Sequence, residues 1–399
     1  DTGRALGMSY ADVDAVARAI PHELNITISE ALRLPELKAL YEASAKVRQL
    51  VDTAMALEGM PRNVSVHAAG VVITDLPVTD YVPQAQSNGV TITQYDMDTI
   101  SQLGLLKFDF LGLRYLTIID DAERQIRERQ PDFDLGHVSL DDSATFELIS
   151  SGNTSGVFQL ESAGMRQMLM SLRPDCIDDI FAAISLYRPG PMDSIPRFIE
   201  GRHNPEKIRY AHPLLEPILA PTYGCIIYQE QVLSIFRDLA GYTYGHADIV
   251  RRAMSKKKAG VMEAERQGFV EGALAHGIGE DVATELFDSM ASFANYAFKK
   301  GHAAAYSIIS YRTAYLKAHY PREYFAALLN SVQGNMPKMA GYIAECGKLG
   351  IRVLAPDINR SMADFHVSGD DILFGLLALK NISRQFAESV IRRREDGRF

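Results

Sequence analysis

Residues 64–112 restrict the fold of this chain more than any other stretch, because they are strand-rich within an otherwise helical pattern. Val64-Ser-Val-His-Ala-Ala-Gly-Val-Val-Ile-Thr74 is β-branched and short-sided, and Val90-Thr-Ile-Thr-Gln-Tyr95 alternates. Ser87-Asn88-Gly89 offers turn chemistry between these first two strands. The third strand is Gly104-Leu-Leu-Lys-Phe-Asp-Phe-Leu-Gly112. Its two-residue period puts Leu106, Phe108 and Phe110 on an apolar face that needs a core, and Lys107 with Asp109 on the other. A carboxylate beside a lysine on a strand, followed by a glycine, is a rigid mount for a cation or phosphate. A half-buried strand whose charged face meets water fits the same residues, since surface Lys–Asp pairs are common.

On either side the period is helical. Ala15, Val16, Ala19 and Ile20 predict a helix before Pro21, and one broad apolar face runs from Glu36 to Leu57, stopped by Gly59. Leu113, Leu116, Ile119 and Ile126 begin a helix that ends before Pro131, and Asp142 stands where a helix cap belongs. Tyr187-Arg-Pro-Gly-Pro-Met192 is a stiff bend. Residues 226–349 are nearly continuous helix with stops at Gly241, Gly277, Gly301 and Gly334. A small hairpin over Phe365–Phe374 and a helix over 383–395 close the chain.

At 399 residues the chain exceeds one ordinary core, so two or more domains are expected. No apolar run is long enough to span a membrane, and no basic segment leads into an apolar one at the start. The opening Asp1-Thr-Gly-Arg4 lacks an initiator Met and reads as the interior of a longer protein. Cys176, Cys225 and Cys346 are scattered and odd in number, which predicts a reducing cytoplasm. A net charge of −9 argues against non-specific coating of nucleic acid but leaves room for local basic grooves.

Several constellations suit phosphate or metal chemistry. Asp96-Met-Asp98 with Asp109 makes three carboxylates, although a connecting turn whose Asp caps a short helix explains the pair better. Arg251-Arg-Ala-Met-Ser-Lys256-Lys257-Lys258 places five cations in eight residues, an anion site for a triphosphate or DNA backbone, or else a solvated helix end. Lys299, Lys300 and His302 gather at a helix start, whose dipole attracts phosphate, while Ala303–Ala305 predicts close helix packing. Arg188 is presented by its bend, or simply ends a helix. His67 falls on a predicted core strand, where a lone histidine is more often a hydrogen-bonded core residue than a ligand.

In this order the motifs closely resemble the bacterial replicative DNA polymerases of family C, in the form without an inserted exonuclease. They are Ser65-Val-His-Ala-Ala-Gly-Val-Val72, Lys107-Phe-Asp-Phe-Leu-Gly-Leu113, Gly156-Val-Phe-Gln-Leu-Glu-Ser162 and Arg188-Pro-Gly-Pro191. Tyr228-Gln-Glu-Gln-Val232, Arg251-Arg-Ala-Met-Ser-Lys-Lys-Lys258 and His302-Ala-Ala-Ala-Tyr306 complete the set, which covers essentially the whole chain.

The resemblance implies an α+β, predominantly helical fold: part of a polymerase-β-like nucleotidyltransferase palm sheet, a helical thumb and large helical fingers. Residues 1–63 would be the end of the first palm portion and the thumb, and 64–112 the second palm portion. Residues 113–350 would be fingers, and 351–399 the end of the fingers, leading towards a helix-hairpin-helix region outside this sequence. The implied activity is template-directed DNA synthesis from dNTPs on primer–template DNA with two Mg²⁺ ions. Asp109 matches the family's third catalytic aspartate and metal ligand, with Lys107 beside it. The Asp-x-Asp motif that supplies the other two does not occur here, and Asp96-Met-Asp98 does not align with it. The fragment is therefore expected to be inactive by itself. Arg188, Arg251, Arg252, Lys256, Lys257, Lys300, His302 and His67 are the implied nucleotide- and DNA-binding residues. Phe298-Lys-Lys-Gly-His302 departs at Lys299 and Gly301 from the family's usual Phe-Asn-Lys-Ser-His. Sliding clamp and clamp loader would be partners through segments outside this sequence, in a nucleoid-associated replisome of the bacterial cytoplasm. The alternative class is a non-catalytic helical DNA-binding or replisome-docking module.

Overall fold

The computed structural model describes residues 1–399 apart from 22–25, 62, 256–258 and 294–295. The chain forms two compact units, Asp1–Gly112 and Leu113–Phe399.

The first unit begins with helices. Tyr10–Arg18 is capped by the Ser9 hydroxyl, which accepts from the Asp12 N–H at 3.2 Å. The broad apolar face predicted over 36–57 is two helices, Pro35–Ala43 and Ala45–Leu57. Ser44 adopts an extended conformation between them and caps the second helix through Val47 N–H. Val16, Ala31, Leu37, Val47, Leu50 and Val51 form the buried cluster of this portion.

The strands follow: β1 (Gly70–Ile73), β2 (Gln84–Ser87), β3 (Val90–Thr93) and β4 (Leu106–Asp109). They make two separate antiparallel ribbons, β1 with β4 and β2 with β3. The Asn88-Gly89 turn has positive φ at both residues, as a tight hairpin requires, but it joins β2 to β3. A two-stranded ribbon cannot cover its own faces. Leu106, Phe108 and Phe110, expected to pack on a core, are 65%, 40% and 67% exposed.

The second unit is built around helix Lys300–His319. Ala303, Tyr311 and Ala314 pack into one cluster with Phe146, Leu169 and Leu186, while Leu316 belongs to another with Ile118, Phe325 and Leu328. The helix is buried on several sides, which explains its lack of a single apolar stripe. Of the predicted alanine run, Ala303 is buried and Ala305 exposed, so close packing is confined to the first. A third cluster gathers Val232, Phe236, Phe269 and Phe287, with the Phe236 and Phe269 rings edge to face at 5.1 Å. Gly241, Gly277 and Gly334 end helices with positive φ, but Gly301 lies within the long helix instead of stopping one. Near the C-terminus β6 (His366–Ser368) and β7 (Asp371–Leu373) form the expected hairpin, and β5 (Val353–Leu354) joins β7 in parallel. The fold is thus α+β and mainly helical. Among the described residues no helix is long and apolar enough to cross a membrane.

Candidate active site and nucleotide cleft

In the first unit the β1–β4 ladder sets Gly70 opposite Asp109 and Val72 opposite Lys107, all on one face. Lys107 Nζ lies 3.0 Å from Asp109 Oδ1 and 3.3 Å from Oδ2. A pair this exposed contributes little to stability, about 0–1 kcal/mol. Gly70 makes the pair possible. A Cβ there would stand 2.9 Å from His67 Nδ1 and 3.1 Å from Asp109 Oδ1, and would also strike the Lys107 stem.

His67 is not on a core strand. It is exposed and precedes β1, with its side chain folded back over the start of that strand. Its Nδ1 accepts from the backbone N–H groups of Ala69 (3.1 Å) and Gly70 (2.6 Å). An acceptor Nδ1 puts the proton of the neutral ring on Nε2. The 3.9 Å separation of Nδ1 from Asp109 Oδ1 is therefore proximity and not an ion pair. His67 and Lys107 also line a cleft of about 690 Å³ in this unit.

Asp96 is a cap. Its Oδ1 accepts from Thr99 N–H at 2.8 Å at the start of helix Met97–Gln102, and these hydrogen bonds hold its carboxyl below the usual range. Among the described residues, the one gathering of three metal-capable side chains is Asp175, Cys176 and Asp179. Arg202 already pairs with both aspartates at 2.8 Å, and Tyr223 donates to Asp179. Asp109 thus offers one carboxylate, enough for a single ligand of a divalent cation but not for a complete two-metal set.

In the second unit the expected basic group divides. Arg188 Nε donates to Ser185 O at 3.0 Å and Nη2 to Tyr296 O at 2.8 Å, and the guanidinium lies 4.1 Å above the Phe298 ring. Burial lowers its pKa from the ordinary value. Among the described residues nothing accepts from Nη1. His302 meets the edge of the same Phe298 ring at 5.2 Å and packs against Tyr306 at 4.3 Å. Arg188, Phe298, His302 and Tyr306 share the wall of a cavity of about 500 Å³.

Lys300 lies outside that wall. Its Nζ is 3.6 Å from Asp178, and its backbone N–H donates to both Glu230 oxygens, at 3.0 and 3.1 Å. The helix N-terminus expected to attract phosphate already holds a protein carboxylate. Arg251 and Arg252 both pair with Asp248, which their hydrogen bonds keep below the usual carboxylate range. Lys256 and Lys257 lie outside the described residues.

Sequence reasoning quoted Gly70 and Glu230 within motifs but gave neither a role. A glycine inside a β-branched run is the signal that would have found the first. Glu230 acts 70 residues away in sequence and left no local sign.

Comparison with known proteins places these features in context. The model for the bacterial DNA polymerase III alpha NTPase domain matches residues 1–112, that for the bacterial DNA polymerase III alpha subunit finger domain matches 115–277, and a helix-hairpin-helix motif matches 350–399. That last match corrects the expectation that 351–399 are still fingers and that the helix-hairpin-helix region lies outside this sequence. The DNA polymerase III subunit alpha of Thermus aquaticus is 47% identical over 407 residues, covering 100% of this chain and 33% of the relative. Those of Escherichia coli K12 and Bacillus subtilis are 42% and 43% identical, with 36% of each relative covered. The chain spans about a third of the length of these relatives.

Proposed function

Because the chain belongs to the family of bacterial DNA polymerase III alpha subunits, we propose that it is the part of a template-directed DNA polymerase that supplies one metal-site carboxylate and the nucleotide-binding fingers. In that reaction the primer 3′-oxygen forms a bond to the dNTP α-phosphorus, the α–β bridge bond breaks, and pyrophosphate leaves. The observation that carries the reading is the Lys107–Asp109 pair mounted over Gly70.

The family implies a divalent metal, and carboxylate oxygen suits Mg²⁺. When bound, Mg²⁺ makes the primer hydroxyl more acidic and neutralises charge on the transferring phosphate. In this reading Asp109 is one of its ligands, Lys107 offsets phosphate charge beside it, and the His67 Nε2 proton is available to a phosphate oxygen. Arg188 and His302 hold the nucleotide in the fingers cavity by charge-assisted hydrogen bonds. Arg251, Arg252 and Lys300 contact the DNA backbone only by exchanging the carboxylates they now hold. Since no two further acids join Asp109 among the described residues, residues 1–399 by themselves extend no primer. Sliding clamp and clamp loader engage other segments of a cytoplasmic replisome.

The helix-hairpin-helix match over 350–399 favours a second reading, a non-catalytic DNA-binding or docking module. Titrating labelled primer–template with the full-length protein separates the two. A polymerase binds more tightly when the next correct dNTP is added; a docking module gives salt-dependent binding indifferent to the nucleotide.

A further inference from the structure

Gln159 stands with φ of +61° at the wall of the cavity that also holds Arg188 and His302. For a residue with a Cβ this left-handed conformation is strained, and glycine would adopt it freely. The neighbours show why the chain is held there. Val157, Phe158 and Leu160 are buried, and Gln159 alone of residues 157–160 is exposed. The segment is pinned from two helices, Lys300–His319 and Pro321–Ser331. Thr313 Oγ1 accepts from Phe158 N–H at 3.2 Å, and Tyr324 donates to Gly156 O at 2.6 Å. The buried Lys317 ammonium donates to Asn153 O and Ser155 O at 2.6 and 2.9 Å. Thr154 closes the turn on Leu160 O at 2.5 Å. The brace fixes the backbone that carries Gln159, whose amide has no partner among the described residues, at the wall of a cavity lined also by aromatic rings, Arg188, His302 and Glu161.

We propose that Gln159 is a substrate-contacting residue whose amide N–H donates to the nucleobase of the nucleotide in this cavity. This rests on the cavity being the nucleotide site. Aromatic walls suit stacking of any base, and Arg188 and His302 suit its phosphates. All four bases carry an acceptor on one shared edge, N3 of purines or O2 of pyrimidines. One amide donor carried by a held backbone serves every nucleotide alike there.

The test is single-nucleotide incorporation by the full-length polymerase and its Gln159→Gly variant, with natural and 3-deazapurine dNTPs, and with Arg188→Ala in parallel. Glycine relieves the left-handed conformation, so the variant folds at least as stably. The expected result is a KM raised about tenfold for all four natural dNTPs, the size of one lost hydrogen bond. The 3-deaza nucleotide, lacking N3, then costs the wild type about as much and the variant nothing further. An unchanged KM, or an equal 3-deaza loss in both proteins, overturns the proposal while leaving the cavity reading intact. An unchanged KM in Arg188→Ala overturns the cavity reading, and the proposal with it.

Discussion

Gly70 stands across the β1–β4 ladder from Asp109, and a Cβ on it would lie 3.1 Å from Asp109 Oδ1. The atoms such a methyl would meet are side-chain ends, which move at modest cost. Gly70→Ala should therefore lose no more than about 1–2 kcal/mol in denaturant unfolding. Primer extension should fall much further, because the displaced groups are Lys107 and His67. Equal losses in stability and activity would mean that the glycine serves only the strand.

Lys317 gives a pH dependence with a definite sign. Burial pushes its ammonium down from the ordinary 10.5 to about 8. Between those values the unfolded chain keeps a proton that the folded chain has released, so stability rises with pH across the window. Lys317→Met abolishes that rise. Measured against this variant, the wild type should gain on the order of 2–3 kcal/mol from about pH 7.5 to about pH 10, at ~1.4 kcal/mol per unit. A constant difference would contradict the buried charge.

Glu230 caps the helix that begins at Lys300. Glu230→Ala should lower unfolding stability by about 1 kcal/mol, and Glu230→Gln by less, since the amide oxygen still accepts while the charge on the helix dipole is lost. Chemical denaturation of the three proteins checks the order.

The uncovered face of the β1–β4 ribbon should make the 399-residue chain self-associate. Leu106 and Phe110 are about two-thirds exposed, on a strand with an open edge. Leu106→Lys with Phe110→Lys should shift sedimentation towards monomer. Unchanged association would direct attention to another surface.

That ribbon also shows how far the sequence could be read. Its two-residue period correctly put Lys107 and Asp109 together, because alternation belongs to any strand. The same period called for a core under Leu106 and Phe108, yet periodicity does not reveal how many strands a sheet contains. Asp96 is a cap as expected, since its partner Thr99 is local. His67 was misplaced because a turn held by its own side chain has no periodic signature. The basic residues looked like one phosphate group in sequence. Asp178, Asp248 and Glu230 divide them, and only the folded chain shows where those carboxylates lie.

The assignment of Asp109 to a metal site competes with a solvated strand face. Its most direct test is Mg²⁺-dependent primer extension by the full-length polymerase carrying Asp109→Asn, with primer–template affinity measured alongside. Extension should fall by at least about a thousandfold, roughly 4 kcal/mol of barrier, with DNA binding unchanged. Near-normal extension would contradict the assignment and leave the Lys107–Asp109 pair as a surface feature of the strand.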